Sequence, residues 1–274
     1  LGGTDVGNYT LTTTTGTSTA NITQLASVSW TGGGDGINWF NAANWSGSAL
    51  PDRGNVAAVS VGAAAVTYNN AVPADDAVLT SLTGTGNFTL AAGTLTTSGG
   101  LTTGGFAQTG GTLAGTGGLT VGNSFSKSGG TLSLTGAIAI TQASGDLILS
   151  NAGALTFGNL HAANGDITID VTGGITTIGT VTAPAGSITG IAHSPMTIGG
   201  AVTAANDITL VAGATGSPGD DLTLNAPVTS TGNGTIDLFA GDNLMQNANV
   251  STNGGNIFAQ AQTGSITMSA AAST

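Results

Sequence analysis

Few side chains in this 274-residue chain are suited to acid–base, nucleophilic or metal chemistry. Lys127 and Arg53 are its strong bases, His161 and His193 its histidines, and all 13 acidic residues are Asp. There is no cysteine, which removes disulfides and thiolate metal sites. Asp170 and Asp237 would project from strands of non-adjacent repeats, so the paired carboxylates that glycoside hydrolysis needs are not in view. The doublets Asp75-Asp76 and Asp220-Asp221 have the charge for Ca²⁺ but not the spacing of a calcium loop. Gly32-Gly33-Gly34-Asp35-Gly36 occurs once, without the nonapeptide iteration of a calcium-loaded roll. Neither histidine has a metal-ligand partner at useful spacing or a serine beside it in a nucleophile motif. Asp146, Asp166 and Asp207 follow Gly or Asn, where a short carboxylate is expected to bond its own turn. These residues predict no catalytic group, no cofactor and no metal.

Aromatic chemistry is concentrated instead. Trp30, Trp39 and Trp45, all the tryptophans of the chain, fall within sixteen residues in the pattern W-x-G-G-G-D-G-x-x-W-x-x-A-x-N-W. Buried, the rings would cap the open end of a core. Exposed and stacked, they would meet the flat faces of pyranose rings. This trio is the candidate binding or capping site.

The elements that position it are short strands. Lys, Glu and Arg, which normally fill helix surfaces, are nearly absent, while 47 glycines and many Thr, Ser and Asn supply tight turns. From Phe88 onward an apolar residue recurs about every twenty positions: Phe88, Phe106, Phe125, Leu147, Ile167, Ile188, Ile208, Ile236 and Ile257. A second register follows at Leu95, Leu113, Leu132, Leu155, Ile175, Met196, Leu222, Leu244 and Ile266. A third follows at Leu101, Leu119, Ile138, Leu160, Val181, Val202, Val228 and Val250. Around each position apolar and polar residues alternate, the pattern of a strand with one face in a core. The fold class is therefore all-β: a right-handed parallel β-helix, a solenoid with three short strands per coil of about 20 residues. Nine coils at the strand spacing of about 4.8 Å make a rod of roughly 40 Å.

Gln108 and Lys127 stand where inward apolar residues are expected, so those strands either turn early or belong to narrower coils. The long interval from Ile208 to Ile236 places a loop at 214–221. Outward threonines (Thr156, Thr176, Thr197 and Thr223; Thr182, Thr203 and Thr229) form columns similar to those of ice-binding proteins, although Thr is also simply a good strand former.

Four segments result: 1–28, the end of an immunoglobulin-like β repeat or capping strands; 29–54, the Trp/Gly-rich cap; 55–87, irregular first coils; and 88–274, the β-helix. The segment Asp5-Val-Gly-Asn-Tyr9-Thr-Leu11 has tyrosine-corner spacing and resembles the close of the MBG-type immunoglobulin-like repeats of large bacterial exoproteins. The Trp pattern resembles the signature that introduces parallel β-helix in filamentous-haemagglutinin-like and autotransporter-type surface proteins. The resemblance implies a structural segment of a secreted bacterial surface adhesin or extracellular filament, located outside the cell or on its surface. Partners would be other copies, joined end to end or by strand addition, and host or matrix glycans. A carbohydrate-binding module built on the tryptophans is the alternative. A polysaccharide lyase using Lys127 or Arg53, or an ice-binding protein, ranks below it.

A net charge of −11 excludes an electrostatic partnership with nucleic acid and disfavours anionic membrane surfaces. No apolar run approaches the ~20 residues needed to span a bilayer. The chain opens at Leu1 without a visible leader and reads as a piece of something longer.

Overall fold

The computed structural model describes residues 24–213, 217–269 and 272–273. The Tyr9 segment lies outside the described residues, as do residues 214–216 of the expected loop. What is described is an all-β solenoid of about ten turns, with helix confined to three short 3₁₀ turns.

Strands stack in parallel along three columns. In the first, Val66 pairs with Phe88, Phe88 with Phe106 and Phe106 with Phe125. After an interruption, Leu147, Ile167, Ile188, Ile208, Ile236 and Ile257 continue it. The second runs from Ala77 through Leu95 and Leu113 to Leu132. It restarts at Leu155 and continues to Ile266. The third begins earlier than the repeat suggests: strand Leu25–Ser29 pairs with Val56–Gly62, placing Val28 under Val59 and then Leu82 and Leu101. Segment 55–87 thus supplies rod strands to all three columns.

The period-two pattern explains the core. Ile167, Ile169 and Val171 are buried while Asp170 between them is exposed, and the same alternation recurs coil after coil. Each buried Leu, Ile or Phe contributes about 1.5–3 kcal/mol by leaving water. Because every coil touches only its neighbours, this stabilisation is local along the rod.

The strands through Gln108 and Lys127 do not turn early but run on to those residues, which leaves the narrower-coil reading, and one register expectation is corrected. Gln108 does point inward: it is fully buried, and its Nε2 donates to the carbonyls of Gly111 at 3.3 Å and Thr131 at 3.0 Å. Lys127, its neighbour in register, instead reaches the Gly130 carbonyl at 2.7 Å and is only partly buried. In the third column Leu160 pairs with Ile140 rather than Ile138, because a bulge shifts the register at that strand.

In the early coils glycines turn the corner between the first and second columns. Gly93, Gly111 and Gly130 lie one above another at φ of +78°, +62° and +70°. A Cβ on Gly111 would sit 2.5 Å from the Gly93 carbonyl oxygen, so the coil closes there only on a residue without a side chain.

Candidate functional site: the tryptophan cap

The segment 29–54 folds over the amino-terminal end of the core as a compact loop, organised by two polar side chains. Asp35 Oδ1 accepts the backbone N–H groups of Ile37 at 3.0 Å and Asn38 at 2.9 Å, the geometry of an Asx turn. Asn44, fully buried, accepts the N–H groups of Gly34 and Gly36 on Oδ1. Its Nδ2 donates to Asp35 Oδ1 at 2.7 Å and to the Asn38 carbonyl at 2.9 Å. The N–H of Asn38, then that of Ile37 and the Asn44 amide, hold the Asp35 carboxyl well below the usual carboxylate range. Asn41 caps the 3₁₀ turn Ala42–Asn44, and its amide fills the space where a side chain on Gly34 would stand.

This scaffold sets the three rings. Trp39 is fully buried and Trp45 nearly so, while Trp30 is partly exposed. Trp45 meets Trp30 edge to face at 4.8 Å and Trp39 at 4.7 Å. Trp39 continues inward against Tyr68 at 5.4 Å and Phe88 at 6.0 Å, and from Phe88 the Phe106 and Phe125 rings stack along the axis. Each buried indole N–H has an acceptor: Trp39 Nε1 donates to the Pro51 carbonyl at 2.9 Å, Trp45 Nε1 to the Trp39 carbonyl at 2.7 Å. The cap is joined to the first coil by the Trp39 N–H to Thr67 carbonyl bond and by Thr67 N–H to Ile37. Flat ring faces open to a sugar are not what this geometry presents; only Trp30 meets solvent appreciably.

Tyr68 belongs to the same assembly, although the sequence reading did not single it out. Its hydroxyl donates to the Thr94 carbonyl and accepts the Ala77 N–H, and burial pushes the phenol up. The available signal was its aromatic character in an aromatic-poor chain.

The other candidates lie dispersed. Arg53 pairs with Asp75, its Nε 2.7 Å from Oδ1, and its charged form is favoured by that bond. Lys127 sits in a separate coil, its ammonium disfavoured by burial. Asp170 faces the His193 ring at 3.2 Å on an exposed surface, and Asp237 occupies a different row of the same column. His161 Nδ1 lies 2.9 Å from the Thr182 hydroxyl. Among the described residues no three His or Asp side chains group as metal ligands. No described helix is long and apolar enough to cross a membrane.

The corner aspartates act differently from the sequence expectation. Asp146 Oδ1 accepts the N–H of Asp166, Asp166 that of Ser187 and Asp207 that of Thr235. Each carboxylate clasps the next coil rather than its own turn, because stacking carries the following corner's N–H directly over it. No protein-family model matches this sequence, and no curated protein or solved structure matches it.

Proposed function

We propose that the chain is a structural segment of a secreted bacterial surface adhesin or extracellular filament, a rod that extends or joins other parts. The observation that supports this most is the continuous core. One apolar interior runs from the tryptophan cap to the last coils, and the polar side chains along it are largely engaged in holding one coil to the next. A continuous apolar core of this kind suits a spacer, each coil being stabilised by its neighbours. In this reading the tryptophans serve as a lid on the core rather than as a glycan platform, and the chain has no catalytic role.

Electron microscopy of the purified chain across a concentration series tests the proposal. Isolated rods of about 45 Å, from about ten coils at the strand spacing, are expected of a passive spacer. Long uniform filaments would place the function in self-assembly. Compact particles without an axial dimension of that size would overturn the rod. Titration of Trp fluorescence with bacterial and host polysaccharides separates the glycan reading. No response is expected of a buried lid, whereas saturable quenching would make the cap a binding site.

A further inference from the structure

The hydrogen bonds between coils follow one rule, and they break it at one level of the rod. In the first column the N–H of each leading inward residue donates to the carbonyl just before its counterpart one coil on. Leu147 reaches Asp166, Ile167 reaches Ser187, Ile188 reaches Asp207, Ile208 reaches Thr235 and Ile236 reaches Asn256, all at 2.8–2.9 Å. In the second column Leu155 reaches Gly174, Ile175 reaches Pro195, Met196 reaches Asp221, Leu222 reaches Asn243 and Leu244 reaches Ser265. By the same rule Phe125 should reach the carbonyl of Asp146, and Leu132 that of Ala154.

Neither does. The Phe125 N–H donates to the side chain of Gln142 at 2.7 Å. The Leu132 N–H donates to Asn151 Oδ1 at 2.8 Å, and Asn151 Nδ2 returns a bond to the Leu132 carbonyl at 2.9 Å. Single side-chain amides thus stand in for a backbone ladder in two of the three columns at the same level. Strand Leu147–Asn151 pairs only with Ile167–Val171 beyond it, which begins a separate sheet. The third column alone passes through, and it does so with the bulge at Ile138–Gln142. Shallow surface depressions adjoin both breaks, one of about 350 Å³ that runs from Asn87 and Gly105 to Phe125 and Gln142, and one of about 340 Å³ beside Lys127 and Asn151.

We propose that this seam is a built-in yield point. Under load or mild denaturation the rod parts here into two cooperative units, residues up to about 134 and residues from 147 onward, with Ile138–Gln142 as the connecting hinge. In a solenoid the strength of each coil-to-coil interface sets where opening begins. An interface with two ladders replaced by isolated amides has fewer backbone bonds than the other interior interfaces of the rod. The proposal does not depend on where the rod is displayed, and an adhesin stalk without such a point would still be a stalk.

Native-state hydrogen exchange of the unaltered chain in rising sub-denaturing urea tests it. Peptides from 56–134 are expected to merge into one opening transition and peptides from 147–261 into another. A single transition for all peptides, a boundary elsewhere, or fraying from one end with no step at 134–147 would overturn the proposal. The double substitution Gln142→Ala with Asn151→Ala should speed exchange of the Phe125 and Leu132 amides about tenfold, by removing their acceptors. Asn159→Ala, which removes an ordinary clasp on the Thr180 N–H at 3.0 Å, should leave the position of the boundary unchanged. Failure of the double variant to fold would leave the unaltered chain's exchange pattern to decide.

Discussion

The coils before the seam and the coils after it stack on the same three columns, yet they are filled and cornered differently. Before it, Phe88, Phe106 and Phe125 lie nearly parallel with centroids 6.3 and 6.0 Å apart, stacked left-handed glycines turn the corner between the first and second columns, and an aromatic lid closes the end. After it, the first column is lined by Leu and Ile, and the corner leading into that column is held by Asp carboxylates reaching the next coil. The difference teaches that a solenoid fixes the direction of its strands but not how its corners are closed. Glycines whose Cβ would strike the backbone of the preceding coil occur in both blocks, at Gly111 before the seam and at Gly165 and Gly186 after it. Carboxylate clasps occur in both as well, singly at Asp76 on the Thr94 N–H before the seam and in a run at Asp146, Asp166 and Asp207 after it.

The largest expected effect separates the two blocks outright. Trp39→Ala removes the ring that joins the lid to Tyr68 and Phe88, and should cost about 3–5 kcal/mol. The loss should fall on the amino-terminal coils alone. It is checked by urea denaturation, following Trp fluorescence for that block and exchange of peptides from 147 onward for the other. Equal destabilisation of both sets would mean that the rod is one cooperative unit and that the comparison fails.

Corner substitutions come next. Gly111→Ala places a side chain at φ +62° against the Gly93 carbonyl and should cost about 1–3 kcal/mol. Asp166→Ala removes one clasp, the 2.7 Å bond from Ser187, and should cost only about 1 kcal/mol. If the two losses were reversed in size, the glycine corner would not be the more constrained of the two. Both follow from urea midpoints read on the affected block.

Much of this architecture was legible because apolar periodicity is a direct imprint of burial. Phe88 to Ile236, Leu95 to Leu244 and Leu101 to Val250 each mark a buried inward position, Ile257 and Ile266 continue the first two columns in the less covered last coil, and the three columns follow from them. What escaped notice depends on the neighbour one coil away. Gln142 and Asn151 look like ordinary strand-end residues until stacking shows that they occupy backbone positions. Asp166 carries the signature of a local turn, yet its acceptor oxygen serves Ser187. Gln108 breaks the apolar pattern, and the carbonyls of Gly111 and Thr131 take its amide N–H groups while its Oε1 is left without a partner. In the cap the spacing of Trp30, Trp39 and Trp45 marked a special segment, but whether the rings faced a core or a ligand depended on Asn44 and Asp35 folding the loop inward.

The smallest effect concerns acid. Asp35 is a carboxylate whose folded form is stabilised chiefly by the Asn38 and Ile37 N–H groups, so its folded pKa lies below the unfolded value. Such a group contributes its stability above the unfolded pKa, near 4 for Asp. That contribution declines as pH falls below the unfolded value and is gone once pH passes the folded one. Because the loop is open to water, the contribution is small, and a global melt would not resolve it. The tryptophans make it visible: all three sit in the cap, so their emission reports this loop and not the coils beyond the seam. The emission-detected midpoint should hold steady from pH 7 to about 5 and decline below 4. Asp35→Asn should remove the part of that decline that belongs to the loop. A decline of equal steepness in the variant would place the acid sensitivity outside the cap, and the lid would then depend on its buried rings and Asn44 alone.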